Sequence, residues 1–155
     1  MSAALSAGDR APAFRLFDAG GNVVSLADFV GGRVVLYFFP KAFTPGCTAE
    51  ACDFRDNFAE LEGSGTAVVG ISRDVPEVLA DFAREHRLGF PLLSDADRTV
   101  HAAYGVLGST QTDGTTKEKV VRSTFVIGPD GLIESARYAV DPNGHVAALM
   151  TELLA

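Results

Sequence analysis

Six consecutive apolar residues, Val34-Val35-Leu36-Tyr37-Phe38-Phe39, constrain this chain more than any other segment. The run is rich in strand formers and carries no polar alternation, so it reads as a strand buried on both faces. Such a strand needs helices above and below it. The flanking segments supply them. From Cys47 to Leu61 the apolar positions Ala51, Phe54, Phe58 and Leu61 fall at helical spacing, with Asp53, Asp56 and Glu60 on the other side. Ala67-Val68-Val69-Gly70-Ile71 is the next buried strand. Strand, helix and strand at these lengths make a βαβ unit with a parallel pair.

The rest of the chain extends this unit. Phe14–Leu16 and Val23–Ser25 flank Ala19-Gly20-Gly21-Asn22 as an N-terminal hairpin. A second helix is expected from Asp74, with Glu77 as its capping-box partner and Leu79, Phe82, Ala83 and His86 along one stripe. Pro91–Leu93 reads as a short strand, Arg98–Tyr104 as a short helix and Gly108–Lys119 as the main loop. Ser123–Ile127 and Leu132–Tyr138 pair across Gly128-Pro129-Asp130-Gly131, and a last helix places Val146, Leu149, Met150 and Leu153 on one face. The order βαβ then ββα predicts an α/β thioredoxin-like fold: a central mixed sheet flanked by helices, with an N-terminal β-hairpin extension.

At 155 residues the chain is expected to form a single domain over 1–155. No apolar run approaches the ~20 residues of a membrane span, and Met1–Leu5 has no secretory pattern, so a cytoplasmic setting is expected. The formal net charge is −7, with Lys and Arg scattered, which argues against a nucleic-acid or anionic-membrane partner. Two cysteines in a reducing compartment point to catalysis or metal binding ahead of a structural disulfide.

Those cysteines lie in Pro40-Lys41-Ala42-Phe43-Thr44-Pro45-Gly46-Cys47-Thr48-Ala49-Glu50-Ala51-Cys52. Cys47 falls just after a strand, in the first turn of a helix, where unpaired N–H groups and the helix dipole favour thiolate. Thr44 is one turn earlier, close enough to orient a substrate and the sulfur together, or to cap the helix. Pro40 and Pro45 restrict the turn, and Pro45 suits a first helical turn. Arg122 starts a strand expected to run antiparallel to Val34–Phe39, which would bring its cation to the edge where Cys47 begins. Glu50 reads as a first-turn acid. His86, His101 and His145 read as structural or solvated.

The chain resembles the peroxiredoxins, in particular the peroxiredoxin Q (bacterioferritin comigratory protein) type. The resemblance rests on Pro40, the Thr44-Pro45-Gly46-Cys47-Thr48 core, Glu50-Ala51-Cys52-Asp53-Phe54-Arg55-Asp56 and Arg122-Ser123-Thr124-Phe125, and in element order it spans about Gly8 to Leu154. It implies a thiol-dependent peroxidase with Cys47 peroxidatic, Cys52 resolving, and Thr44, Arg122 and Pro40 completing the site. It implies peroxide substrates, hydrogen peroxide and organic hydroperoxides, and re-reduction by thioredoxin or a similar dithiol. No cofactor or metal is implied, and a monomer or weak homodimer is expected. Residues five apart in a helix have Cα atoms roughly 8–9 Å apart and lie about 140° apart around the axis. A disulfide needs less than about 7 Å. Closing a Cys47–Cys52 bond therefore requires that helix to unwind in part.

Ala42-Phe43-Thr44 is also similar to the one-cysteine, AhpE-like members, in which case Cys52 is structural and Phe43 makes the pocket mouth apolar. A thioredoxin-like copper carrier using the Cys47/Cys52 pair is a further alternative. Its pair would be spaced by three residues, not four. A general disulfide oxidoreductase would be expected to show Cys-x-x-Cys.

Overall fold

In the computed structural model, which describes residues 4–154, the apolar run becomes β3 (Arg33–Phe38) near the middle of a seven-stranded mixed sheet. Its alternation explains why no polar residue is tolerated. Val35, Tyr37 and Phe39 enter one core with Ala51, Phe54, Leu61, Leu79, Phe82, Val146 and Leu149. Val34, Leu36 and Phe38 enter the other with Val69, Ile71, Val100, Tyr104 and Phe125. Successive side chains thus fill opposite faces of one sheet.

The N-terminal hairpin is β1 (Arg15–Asp18) and β2 (Val23–Ser25). After β3 come α1 (Pro45–Gly63), β4 (Thr66–Ser72), α2 (Pro76–His86), β5 (Leu92–Ser94) and α3 (Thr99–Ala103). Then follow β6 (Leu107–Thr112), β7 (Thr115–Val120), β8 (Ser123–Ile127), β9 (Ile133–Arg137) and α4 (His145–Leu153). The sheet order is β2-β1-β5-β4-β3-β8-β9. β3 pairs in parallel with β4 and antiparallel with β8, in the register Phe38↔Ser123. That register brings Arg122 beside the end of β3, as the antiparallel expectation required.

Two expectations change. The segment 108–119 is not a loop: β6 and β7 form a hairpin that turns at Asp113-Gly114, both with positive φ (52° and 76°). An Asp-Gly pair suits that turn, but β7, exposed from Thr115 to Lys119, has no apolar alternation to betray it. The second helix starts at Pro76 with Val75 at its cap, not at Asp74. Proline at a first helical position outranks the Asp74/Glu77 spacing, and Asp74 is used elsewhere.

Candidate active site

The turn from β3 into α1 builds the site. Pro40 leaves the strand, and Phe43 takes a left-handed conformation (φ 68°), a strained choice for a bulky residue. Its ring packs edge-on against Phe82 at 5.2 Å. The turn is tied down from the neighbouring strand, because the Ala42 N–H donates to Asp74 Oδ2 at 2.8 Å and Ser72 Oγ donates to the same oxygen at 2.8 Å. Asp74 is therefore an anchor of this turn, a role its sequence context gave no sign of. Thr44 precedes α1 in extended conformation without a side-chain cap. Its hydroxyl instead donates to the Lys41 carbonyl at 2.7 Å, which leaves the oxygen's lone pairs available as acceptors. Pro45 is the first helical residue and Cys47 the third.

Cys47 is buried, and Arg122 is its polar neighbour: Nη2 donates to Cys47 Sγ at 3.3 Å while Nη1 donates to Glu50 Oε1 at 2.7 Å. One guanidinium thus bridges thiol and carboxylate. Burial opposes the Arg122 charge, but the negative charges of Glu50 and Cys47 more than offset this and hold its pKa above the usual value. Gly46 makes room for the arrangement, since a Cβ there would meet Arg122 Nη2 at 3.1 Å and Pro142 Cγ at 3.2 Å.

Glu50 is fully buried and its Oε2 has no hydrogen-bond partner among the described residues. Burial pushes its carboxyl from 4.5 up to about 7, outweighing Arg122. His145, 3.7 Å from that oxygen, is pushed down to about 4 by burial and then by Arg137 and Arg122. It is therefore a neutral imidazole near neutral pH, engaged with Thr124 Oγ1 at 2.8 Å, and its contact with Glu50 is not an ion pair. Tyr37 closes the floor, stacked on Phe54 at 4.6 Å; burial, then the nearby Glu50 and Cys47 charges, raise its phenol well above the usual value. Glu50 lies on the Cys47 face by helical spacing. His145 and Tyr37 reach it only through tertiary packing.

Cys52 lies in the same unbroken helix, half-buried, and is free like Cys47. The two sulfurs do not bond, and Cys52 instead faces α2, with His86 Nδ1 3.9 Å from its Sγ. Among the described residues no three His, Cys, Asp or Glu side chains gather as a metal site.

A sequence model described as the AhpC/TSA family matches residues 7–136. A Mycobacterium tuberculosis protein named as a peroxiredoxin is 55% identical over 149 residues, covering 96% of this chain and 95% of its own. Escherichia coli peroxiredoxin Bcp is 50% identical over 130 residues, 84% of this chain and 83% of its own. Among solved structures, Xanthomonas campestris peroxiredoxin Q superposes with a TM-score of 0.91 at 32% identity, covering 97% of this chain and 98% of that one. The Mycobacterium tuberculosis peroxidoxin BcpB gives 0.85 at 37% identity, covering 97% of each chain. Family profile, half-identical relatives and thioredoxin-like architecture agree, and the chain belongs to the AhpC/TSA family as a peroxiredoxin of the Bcp, or peroxiredoxin Q, type.

Proposed function

We propose that this protein is a thiol-dependent peroxidase that reduces hydrogen peroxide and organic hydroperoxides through Cys47. The observation that carries the reading is Arg122, with one nitrogen on Cys47 Sγ and another on Glu50. A permanent cation against the sulfur pairs with the negative charge of the attacking sulfur. The thiolate attacks one peroxide oxygen and the O–O bond breaks. The second oxygen leaves as water or alcohol once protonated, and Cys47 becomes a sulfenic acid. Charge gathers on the leaving oxygen, so donors fixed beside it lower the barrier. Arg122 supplies such donors, and the Thr44 oxygen, with its own proton on Lys41, can accept a hydrogen bond from the peroxide. Pro40 and the Asp74 anchor hold the turn in place. Phe43, half-exposed above Phe82, offers an apolar lip suited to an organic substituent.

Cys52 then displaces hydroxide from the Cys47 sulfur, giving an intramolecular disulfide. Both cysteines sit in α1 five residues apart, so the first turn must unwind for the sulfurs to meet. A thioredoxin-like dithiol restores the two thiols, in keeping with a reducing, cytoplasmic setting, and the cycle needs only one 1–155 domain, as a monomer or weak homodimer. The unbroken helix also favours a second reading, a one-cysteine enzyme whose sulfenic acid is reduced by an external thiol.

Intact mass of reduced protein after one equivalent of hydrogen peroxide separates the two. The two-cysteine cycle predicts loss of two hydrogens in wild type and gain of one dimedone-trappable oxygen in Cys52→Ser. A trappable oxygen on wild type without a disulfide would establish the one-cysteine reading. No rapid change in either protein would refute the peroxidase itself.

A further inference from the structure

The environment of Cys52 is more organised than a packing role requires. It faces the C-terminal end of α2, where His86, the last helical residue, is turned toward it. His86 Nδ1 lies 3.9 Å from Cys52 Sγ, and His86 Nε2 lies 3.9 Å from Glu85 Oε2. The imidazole ring is held edge-on against Phe82 at 5.1 Å, with Phe43 beyond it at 6.4 Å. Nδ1 is the ring nitrogen presented to the thiol, and in the tautomer protonated at Nε2 it accepts from the S–H.

Arg55, one helical turn after Cys52, completes the arrangement. Its Nη1 donates to the His86 carbonyl at 2.8 Å, capping one of the unpaired carbonyls at the end of α2 and fixing α1 against it. Its Nε is held by Asp56 at 3.0 Å. Through these two bonds Arg55 ties the stretch of α1 that carries Cys52 to the end of α2. The charged and titratable groups recorded in contact with His86 are Cys52 and Arg55 on α1 and Glu85 on its own helix, whose last turn and cap also carry Arg84 and Arg87. The turn bearing Phe43 brings that residue's apolar ring to 6.4 Å from the imidazole.

The geometry points to His86 as the proton acceptor for Cys52 in the resolving step, with Arg55 positioning the pair. The assignment rests on the two-cysteine reading above. Nucleophile, imidazole and carboxylate in sequence are the parts needed to activate a weak nucleophile. In the step, the Cys52 S–H proton passes to His86 Nδ1 and the Cys52 thiolate attacks the Cys47 sulfur. The S–O bond of the sulfenic acid breaks, and hydroxide leaves, taking a proton to become water. The Cys47 sulfur is reduced and the Cys52 sulfur oxidised as the S–S bond forms, so no further reactant is needed. The division of motion follows. Cys52 stays clamped to α2 by Arg55, and the first turn of α1, carrying Cys47, unwinds toward it.

Rapid quench and intact mass after one equivalent of hydrogen peroxide resolve the two phases: sulfenic acid formation, then loss of two hydrogens. His86→Ala and His86→Gln are compared with wild type, and the first phase reports whether each variant keeps a folded peroxidatic site. The ratio of second-phase to first-phase rate is expected to fall at least tenfold in both. Added imidazole is expected to restore the second phase of His86→Ala in proportion to its concentration, without accelerating wild type. A second phase within twofold of wild type overturns the assignment to His86. So does a slow second phase that imidazole leaves unmoved, because a merely structural loss behaves that way. Wild type that stops at the sulfenic acid overturns the two-cysteine reading instead.

Discussion

Replacing Glu50 by Gln tests the claim that burial dominates the chemistry beneath Cys47. The substitution keeps the shape, and the amide oxygen can still accept from Arg122, but the titration is removed. With its carboxyl raised from 4.5 to about 7, Glu50 contributes stability that is fully present below pH 4.5 and lost as pH rises through about 7. At 1.36 kcal/mol per unit, a shift of this size is worth about 3 kcal/mol in full, of which about 2.5 kcal/mol falls between pH 5 and 8. His145 works in the opposite sense. Its value, depressed to about 4, gives stability that is present above the usual 6.5 and lost as pH falls through about 4. Wild type therefore hides both slopes, and the difference between two proteins that share His145 isolates Glu50. Urea unfolding of reduced protein at pH 5 and pH 8, with and without Glu50→Gln in a Cys47→Ser background, removes thiolate titration from the comparison. The Gln variant is expected to gain about 2–3 kcal/mol on its parent between pH 5 and pH 8. A difference that stays flat, or falls with pH, would show that Arg122 keeps the carboxylate ionised throughout and would refute the desolvation argument.

Two further outcomes follow from the structure. A Cβ at Gly70 would come within 2.9 Å of both Leu92 Cδ2 and Tyr37 Cζ, so Gly70→Ala should cost about 1–3 kcal/mol in urea unfolding, whereas Gly63→Ala, with nothing within 4 Å, should be close to neutral. An equal effect at both sites would refute the packing argument. Thr44→Val should lower the second-order rate with hydrogen peroxide at least tenfold while Thr44→Ser keeps most of it, measured by stopped-flow; equal losses would mean that the hydroxyl is not the acting group.

Much of this protein was legible because it depends on local rules. The double-faced run at 34–39 dictated a central strand, and its antiparallel partner brought Arg122 to the end of β3 and so to Cys47. Pro45 and the first-turn thiol follow from helix-start chemistry, and Glu50 shares the Cys47 face by helical spacing alone. The β6–β7 hairpin was announced by Asp113-Gly114, yet β7 is exposed from Thr115 to Lys119 and so carries no apolar alternation. Asp74 was spaced like a helix cap, and only the approach of the 39–44 turn shows it holding the Ala42 N–H. His145 and His86 looked unremarkable for the same reason: their partners are brought to them by helix docking. The residue pattern determined the strands, the helices and a thiol at a helix start. Tertiary structure alone decided which groups lose water around Glu50 and which imidazole reaches Cys52, because desolvation and proton transfer depend on distances between segments that no local pattern encodes.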